Sequence, residues 1–242
     1  VRVLLGLLLF VLGLAAYEWQ GLIPVDNRVK QMIFWGALGG ASLFCWLCFP
    51  VWLVVGIILW GLVIAAVVTY PASQRIWGRA WVVALWGCVC LPLMAISAIK
   101  LYQQPHGAGL IIYVFALVSV ADSGAYFVGK FLGRHALIPK VSAGKTIEGA
   151  LGGLLLPMGV AAIGVWLWAP SSYVTWFGLA LVTTVISMFG DLVISMLKRR
   201  QKLKDTGALL PGHGGVLDRT DSVIAALPCF YLGFYYSSLV LS

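Results

Sequence analysis

Most acidic residues of this chain lie in its second half, close to two long basic loops. Six of the eight are found there, and two of them, Asp122 and Asp191, interrupt apolar segments about two helical turns from a basic loop. A carboxylate at such a depth in an apolar environment is costly unless it is paired or binds a cation. We therefore expect a cation or phosphate site, the alternative being a salt bridge to a basic loop residue. The six acids are Asp122, Glu148, Asp191, Asp205, Asp218 and Asp221.

The segment 198–221 combines a run of positive charges, a glycine-rich turn and two carboxylates. Asp218 and Asp221 are three residues apart, so both side chains share one face if a helix begins there. Mg²⁺ typically takes one or two carboxylates together with phosphate oxygens, and glycine lets the backbone approach a ligand closely. The segment therefore predicts a site for Mg²⁺ and phosphates.

A second segment, residues 140–149 (K-V-S-A-G-K-T-I-E-G), also indicates anion binding. It is not a P-loop, because Pro139 stands where that motif needs its first glycine. Serine, glycine, lysine and threonine just before a helix nevertheless supply N–H donors, hydroxyls and a positive charge, and phosphate favours helix N-termini. A capped, positively charged helix start without a ligand explains the same residues equally well.

The composition indicates which elements must position these residues. Of the 242 residues, 62% are hydrophobic and 10% are charged, with a net charge of +8, whereas an average soluble domain is about 25% charged. This excludes a soluble globular domain and a disordered chain, and it argues against nucleic-acid binding. We expect an all-α polytopic integral membrane protein with about eight transmembrane helices, since each span needs about 20 apolar residues. The predicted spans are 1–17, 32–49, 51–70, 80–99, 108–129, 147–168, 173–197 and 222–241.

We expect these helices to form a single membrane domain over residues 1–242. Residues 1–100 would supply the N-terminal transmembrane helices. Residues 108–241 would form the catalytic half, with its loops at 130–146 and 198–221.

The basic residues are distributed very unevenly between the connecting loops. Fourteen of the 16 lie in four loops, which eight spans would place on one side of the membrane. The positive-inside rule makes that side cytoplasmic, with both termini outside. In the first of these loops, Glu18 and Asp26 are expected to be solvated. The four loops are 18–31, 71–79, 130–146 and 198–221.

Residues 195–221 resemble the signature of the phosphatidate cytidylyltransferase (CDP-diacylglycerol synthase) family. The residues that carry the resemblance are Ser195, Lys198, Arg199, Lys204, Asp205, His213, Gly214, Gly215, Asp218, Arg219 and Asp221. Residues 121–126, residues 141–149 and the pair Gly190-Asp191 also look like family segments, so the resemblance covers about residues 115–230. Ala143 departs from the family, which usually has proline there, and the sequence begins about one span later than is usual.

The resemblance implies a Mg²⁺-dependent membrane enzyme that makes CDP-diacylglycerol and pyrophosphate from CTP and phosphatidic acid. Its partners would be these two substrates and membrane lipid. We further predict that the protein forms a homodimer, and we do not expect it to bind nucleic acid. The expected location is the bacterial inner membrane, with the active site facing the cytoplasm.

That reaction gives each candidate residue an expected role. Catalytic roles fall to Asp218, Asp221, His213 and Arg219, and His213 would bind phosphate or protonate pyrophosphate. One or two cations would be held by Asp191, Asp218, Asp221 and Asp122. Substrate binding is assigned to Ser142, Lys145, Thr146, Lys198, Arg199, Lys204, Asp205, Gly214, Gly215, Asp122 and Glu148. Glu148 is expected to orient Lys145 or Ser142 instead of contacting metal.

Two other functions are compatible with the same residues. A related membrane nucleotidyltransferase or kinase acting on an isoprenoid lipid would need a similar site and would differ in its lipid groove. A secondary transporter also carries acids within the membrane, but its site usually lies near the midplane between internal repeats. Because the acids here cluster toward one side and no repeat is visible, transport is the less favoured alternative.

Overall fold

The computed structural model describes residues 2–24, 27–209, 214–237 and 239–241. These residues form helices joined by short connections, with one small β-hairpin. The helices are α1 (Arg2–Leu22), α2 (Arg28–Leu47), α3 (Phe49–Val68), α4 (Gln74–Trp77), α5 (Ala80–Tyr102), α6 (Gly107–Leu132), α7 (Ile147–Leu155), α8 (Pro157–Trp168), α9 (Tyr173–Arg200) and α10 (Leu217–Tyr236). The strands are β1 (Ala136–Ile138) and β2 (Ser142–Thr146).

Six helical segments are long and apolar enough to cross a membrane, which confirms the predicted all-α polytopic membrane fold. They are Leu5–Leu22, Phe49–Val68, Ala80–Tyr102, Gly107–Leu132, Ile147–Trp168 and Tyr173–Arg200. Helices α2 and α10 overlap the other two predicted spans but begin four and five residues earlier, and each carries charged residues in its first turns. The total of eight transmembrane helices therefore stays a prediction.

Several helix starts follow directly from local sequence. The side chains of Asn27 and Ser172 accept hydrogen bonds from backbone N–H groups in the first turns of α2 and α9, at 2.9 and 3.3 Å. Such caps satisfy donors that have no partner inside the helix. Pro50 lies in the first turn of α3, a position where proline costs no hydrogen bond. This explains how α3 begins almost immediately after α2 ends.

Helix α5 forms the centre of the bundle. It packs against α1, α2, α3, α6 and α10, and every residue from Trp86 to Ile99 is buried. Helix α1 is fixed to it by Trp19, whose Nε1 donates a 2.9 Å hydrogen bond to the carbonyl oxygen of Val83. The neighbouring residue Glu18 is thereby held at a defined place in the bundle.

Contacts between distant segments bring the basic loops to one end of the bundle. At this end, Gln201 Nε2 donates to the carbonyl oxygen of Leu22 at 3.1 Å, and the Arg200 guanidinium lies 6.0 Å from the centre of the Trp77 ring. At the opposite end, the Ser171 N–H donates to the carbonyl oxygen of Val240 at 3.0 Å. We call the first end the basic end.

The loop predicted at 130–146 contains a β-hairpin that sequence analysis did not predict. Strands β1 and β2 are antiparallel, and Ala136 pairs with Thr146. The Ile147 N–H then donates to the carbonyl oxygen of His135 at 2.8 Å, which closes the hairpin against the start of α7. Strands of three and five residues are too short to show a clear alternating pattern.

Candidate active site

A cavity of about 230 Å³ lies at the basic end between α6, α7, α9 and the hairpin. Asp122 of α6, Lys145 of β2 and Asp191 of α9 line it together with apolar and small residues. We call it the acid cavity. The two intramembrane carboxylates singled out from the sequence therefore do face the same space.

Lys145 and Asp191 form an ion pair in this cavity. Lys145 Nζ lies 2.6 Å from Asp191 Oδ2, and the two side chains are 29% and 28% exposed. Ser195 Oγ donates to the other oxygen, Asp191 Oδ1, at 3.2 Å. The deep carboxylate is thus neutralised by a lysine from the hairpin. That arrangement matches the alternative of a salt bridge to a basic loop residue, and it still leaves both charged groups accessible to a ligand.

A third carboxylate, Asp221 of α10, approaches the same region. Asp122, Asp191 and Asp221 are close enough for their charges to interact, although they come from three different helices. Gly190 makes this approach possible, since a Cβ there would lie 2.5 Å from the carbonyl oxygen of Asp221 and 3.1 Å from Ala225 Cβ. The glycine that precedes Asp191 thus lets α9 and α10 pack closely enough to bring their acids together.

Asp218 has a different environment from Asp221. Its Oδ1 accepts a 2.6 Å hydrogen bond from Lys198, and the two side chains are only 10% and 14% exposed. Its Oδ2 accepts from the Thr206 N–H at 2.8 Å and the Gly215 N–H at 3.0 Å, and it lies 3.0 Å from the Thr206 hydroxyl oxygen. Both oxygens are therefore occupied by protein donors, which hold the loop before α10 in place.

Glu18 takes part in the same set of hydrogen bonds, and the expectation that it is solvated is wrong. Its side chain is 3% exposed and accepts from the Val216 N–H at 2.9 Å, the Leu217 N–H at 2.7 Å and the Thr206 hydroxyl at 2.9 Å. The N-cap residue of α10 is Val216, which has no side-chain acceptor, and a carboxylate near a helix N-terminus is stabilising. Glu18 of α1 thus caps α10 from outside.

Two residues predicted to bind substrate also stabilise the hairpin and the start of α7. Thr146 is the N-cap of α7, and its hydroxyl accepts from the Gly149 N–H at 3.1 Å. Glu148 accepts from the N–H groups of Arg134 and His135 at 3.0 and 3.2 Å, and its other oxygen lies 2.6 Å from His135 Nδ1. Glu148 therefore braces the entrance to the hairpin, and no hydrogen bond joins it to Lys145 or Ser142 in the described part of the chain.

Two glycines of the last loop, Gly214 and Gly215, have different structural roles. Gly214 has a φ of 81°, a conformation that favours glycine. The N–H of Gly215 is already donated to Asp218, so it is not free for a phosphate in this arrangement. His213 lies outside the described residues.

The remaining predicted substrate residues do not line the acid cavity. Ser142 is half-buried at the first position of β2. The exposed ones are Arg199, Lys204, Asp205 and Arg219.

The donor groups fit Mg²⁺ only if the substrate contributes ligands. Within the described ranges, no three His, Cys, Asp or Glu side chains are arranged to hold one metal ion. Mg²⁺ is commonly bound by one or two carboxylates, with waters and phosphate oxygens completing its shell. One or two of the carboxylates of Asp122, Asp191 and Asp221 suit that role, because Asp122 and Asp191 line the acid cavity and Asp221 approaches them from α10. Asp218 suits it less well, because its side chain is only 10% exposed, whereas that of Asp191 is 28% exposed.

Comparison with known proteins gives consistent results across the chain. A family model described as "Cytidylyltransferase family" matches residues 2–237. A phosphatidate cytidylyltransferase of Pseudomonas aeruginosa is 36% identical over 226 residues, which are 91% of this chain and 83% of that protein. One from Haemophilus influenzae is 40% identical over 189 residues, covering 73% of this chain and 65% of its own length. One from Bacillus subtilis is 42% identical over 127 residues, or 52% of this chain and 47% of that relative.

Proposed function

The chain belongs to the cytidylyltransferase family, and we propose that it transfers the cytidylyl group of CTP to phosphatidic acid. The products are CDP-diacylglycerol and pyrophosphate. The observation that carries this proposal is the acid cavity, where Lys145 from the hairpin meets Asp191, with Asp122 and Asp221 close by. A site with both charges suits a reaction between two phosphate-bearing substrates and a divalent cation.

The chemistry requires charge neutralisation more than a strong base. A phosphate oxygen of phosphatidic acid attacks the α-phosphorus of CTP, and the bond between the α-phosphorus and the bridging oxygen to the β-phosphate breaks. A phosphate monoester has its second pKa near 6 and is largely dianionic at neutral pH. The attacking phosphate oxygen is therefore already deprotonated, and no general base is required. Catalysis of such transfers depends mainly on positioning and electrostatic stabilisation.

We propose that one or two of the carboxylates of Asp122, Asp191 and Asp221 hold Mg²⁺, and that phosphate oxygens of the substrates complete its shell. The ion, when bound, supplies positive charge at the reacting phosphates. Lys145 can exchange its partner, because an ammonium group has three donors and this one is partly exposed. In the substrate complex it would donate to a phosphate while remaining near Asp191.

Lys198 and Asp218 act as positioning residues in this proposal. Their ion pair joins the end of α9 to the start of α10, and Asp218 also fixes Thr206 and Gly215. Asp221 follows Asp218 by about one helical turn, so its carboxylate is oriented by the same contacts. We therefore assign Asp218 to setting the geometry of Asp221 in place of the metal-binding role predicted from the sequence.

The location of the site suits both substrates. Phosphatidic acid lies in the membrane with its phosphate at the surface, and CTP arrives from water. We propose that the basic end faces the cytoplasm of a bacterial inner membrane, since loops rich in lysine and arginine stay on that side. Formation of a homodimer stays a prediction.

Release of pyrophosphate by the purified protein in detergent tests this function. We expect release only when CTP, phosphatidic acid and Mg²⁺ are present together. Omission of each component in turn provides the controls, and undecaprenyl phosphate in place of phosphatidic acid tests an isoprenoid lipid as substrate. Release that does not require lipid, or that prefers undecaprenyl phosphate, would contradict the proposal.

A further inference from the structure

A second cleft opens at the basic end, and its lining is positively charged. It has a volume of about 780 Å³ and is lined by four basic side chains. These are Arg75 of α4, Arg79 just before α5, Lys140 from the hairpin turn and Arg200 from the end of α9. Among the described residues, no acidic side chain lines it.

The basic side chains of this cleft have no acidic partners within the described ranges. None of the ion pairs found there includes Arg75, Arg79, Lys140 or Arg200. In addition, Arg200 Nη1 is buried and has no hydrogen-bond partner in that part of the chain. An unpaired buried donor is unfavourable, and an anion in the cleft would provide an acceptor for the arginines that surround it.

Arg200 belongs to the cleft, whereas its neighbour Lys198 belongs to the active site. Residues two apart on a helix do not face each other, and Lys198 pairs with Asp218 while the Arg200 guanidinium lies over the Trp77 ring. Trp77 is itself stacked on Trp86 at 6.1 Å. This aromatic support fixes the position of Arg200 at the wall of the cleft.

The hairpin separates the cleft from the acid cavity. Lys145 of β2 lines the acid cavity, whereas Lys140, in the turn before that strand, lines the cleft. The described residues that line the two spaces do not overlap. The cleft is therefore a distinct feature and does not belong to the site where the carboxylates converge.

Apolar side chains flank the basic residues of the cleft. Ile76, next to Arg75, is 74% exposed, and Trp81, two residues after Arg79, is 63% exposed. Tryptophan is enriched at the level of lipid headgroups, and basic residues there attract anionic lipids. This combination indicates a ligand that is phosphate-bearing and anchored in the membrane.

We propose that this cleft binds the phosphate of an anionic membrane phospholipid, outside the acid cavity. Arg75, Arg79, Lys140 and Arg200 contact the headgroup, and its acyl chains lie along the apolar surface beside Ile76 and Trp81. The lipid held there is a bound ligand and undergoes no reaction. The proposal goes beyond the transferase activity and does not depend on it.

Native mass spectrometry of the detergent-solubilised protein, titrated with phosphatidylglycerol, tests the proposal. The test variant combines Arg75→Gln with Arg79→Gln. The matched control combines Arg28→Gln with Lys30→Gln, which removes two exposed charges near the same end at the start of α2. We expect phosphatidylglycerol affinity to fall about 30-fold in the test variant and little in the control, since each basic residue near anionic lipid contributes about 1 kcal/mol.

A second variant and a second ligand make the outcome decisive. Lys140→Gln, a single exposed change in the hairpin turn, should weaken phosphatidylglycerol binding about fivefold even if the double variant folds poorly. Titration with CTP distinguishes a lipid phosphate from a soluble one, and we expect Arg75→Gln with Arg79→Gln to leave CTP affinity unchanged. Unchanged lipid affinity, an equal loss in the control, or a loss confined to CTP would overturn the proposal.

Discussion

Glu18 offers a direct test of how the last loop is held, because two of its three hydrogen-bond donors are backbone amides that can be followed individually. Replacement by glutamine keeps one carbonyl oxygen, which can serve at most two of the donors from Thr206, Val216 and Leu217. The amide nitrogen then faces the third donor without an acceptor. An unsatisfied buried donor costs about 1–3 kcal/mol, so we expect the start of α10 to lose about 2 kcal/mol of local stability.

Hydrogen–deuterium exchange at the backbone amides of Val216 and Leu217 measures this loss directly. A decrease of about 2 kcal/mol corresponds to roughly 30-fold faster exchange through local opening. Glu18→Ala removes both acceptor oxygens and therefore all three hydrogen bonds, and should accelerate exchange further. Tyr17→Phe is the matched control, since Tyr17 is the adjacent residue, is 61% exposed and has no polar partner among the described residues. Exchange in Glu18→Gln that equals that of the wild-type protein would refute the capping role.

Three further substitutions test the acid cavity. Asp221→Asn should lower kcat about 100-fold or more, because a group that stabilises charge in the transition state is lost. Normal pyrophosphate release at saturating CTP would show that Asp221 is not part of the active site. Lys145→Gln should lower kcat/KM for CTP by about 10- to 100-fold, because a hydrogen bond from a charged donor contributes about 1.5–3 kcal/mol. An unchanged kcat/KM would mean that Lys145 pairs with Asp191 and does not bind the substrate. Gly190→Ala should cost about 1–3 kcal/mol through overpacking against α10, seen as a lower Tm. Gly178→Ala on the same helix is its control, since a Cβ there meets nothing within 4 Å, and equal Tm values for the two variants would refute the packing argument.

The parts of the site that could be predicted from the sequence depend on the local pattern of apolar and polar residues and on the number of helices. Apolar segments and the polar residues between them define the helical segments, and alternation of direction puts Asp122 and Asp191 at a similar depth. The structure shows that both carboxylates line one cavity, as expected for a shared site. The pairing of Asp191 with a loop lysine was one of the alternatives that the sequence left open.

The parts that could not be predicted depend on contacts between residues far apart in the chain. Glu18 and Leu217 are separated by 199 positions, so nothing near Glu18 indicates that its carboxylate caps a distant helix. The placement of Glu18 between two aromatic residues, Tyr17 and Trp19, is the local signal against a solvated role. Likewise, the basic run 198–200 reads as a single cluster, although the helix turns Lys198 toward Asp218 and Arg200 toward Trp77.

Transfer of isotopic label from CTP to lipid tests the proposed reaction most directly. The purified protein is incubated with phosphatidic acid, Mg²⁺ and CTP that carries radioactive phosphorus at either the α- or the γ-position. Cytidylyl transfer predicts that the α-label enters the lipid extract as CDP-diacylglycerol, while the γ-label is recovered in pyrophosphate. Label from the γ-position in the lipid would instead indicate a kinase and would contradict the proposed function.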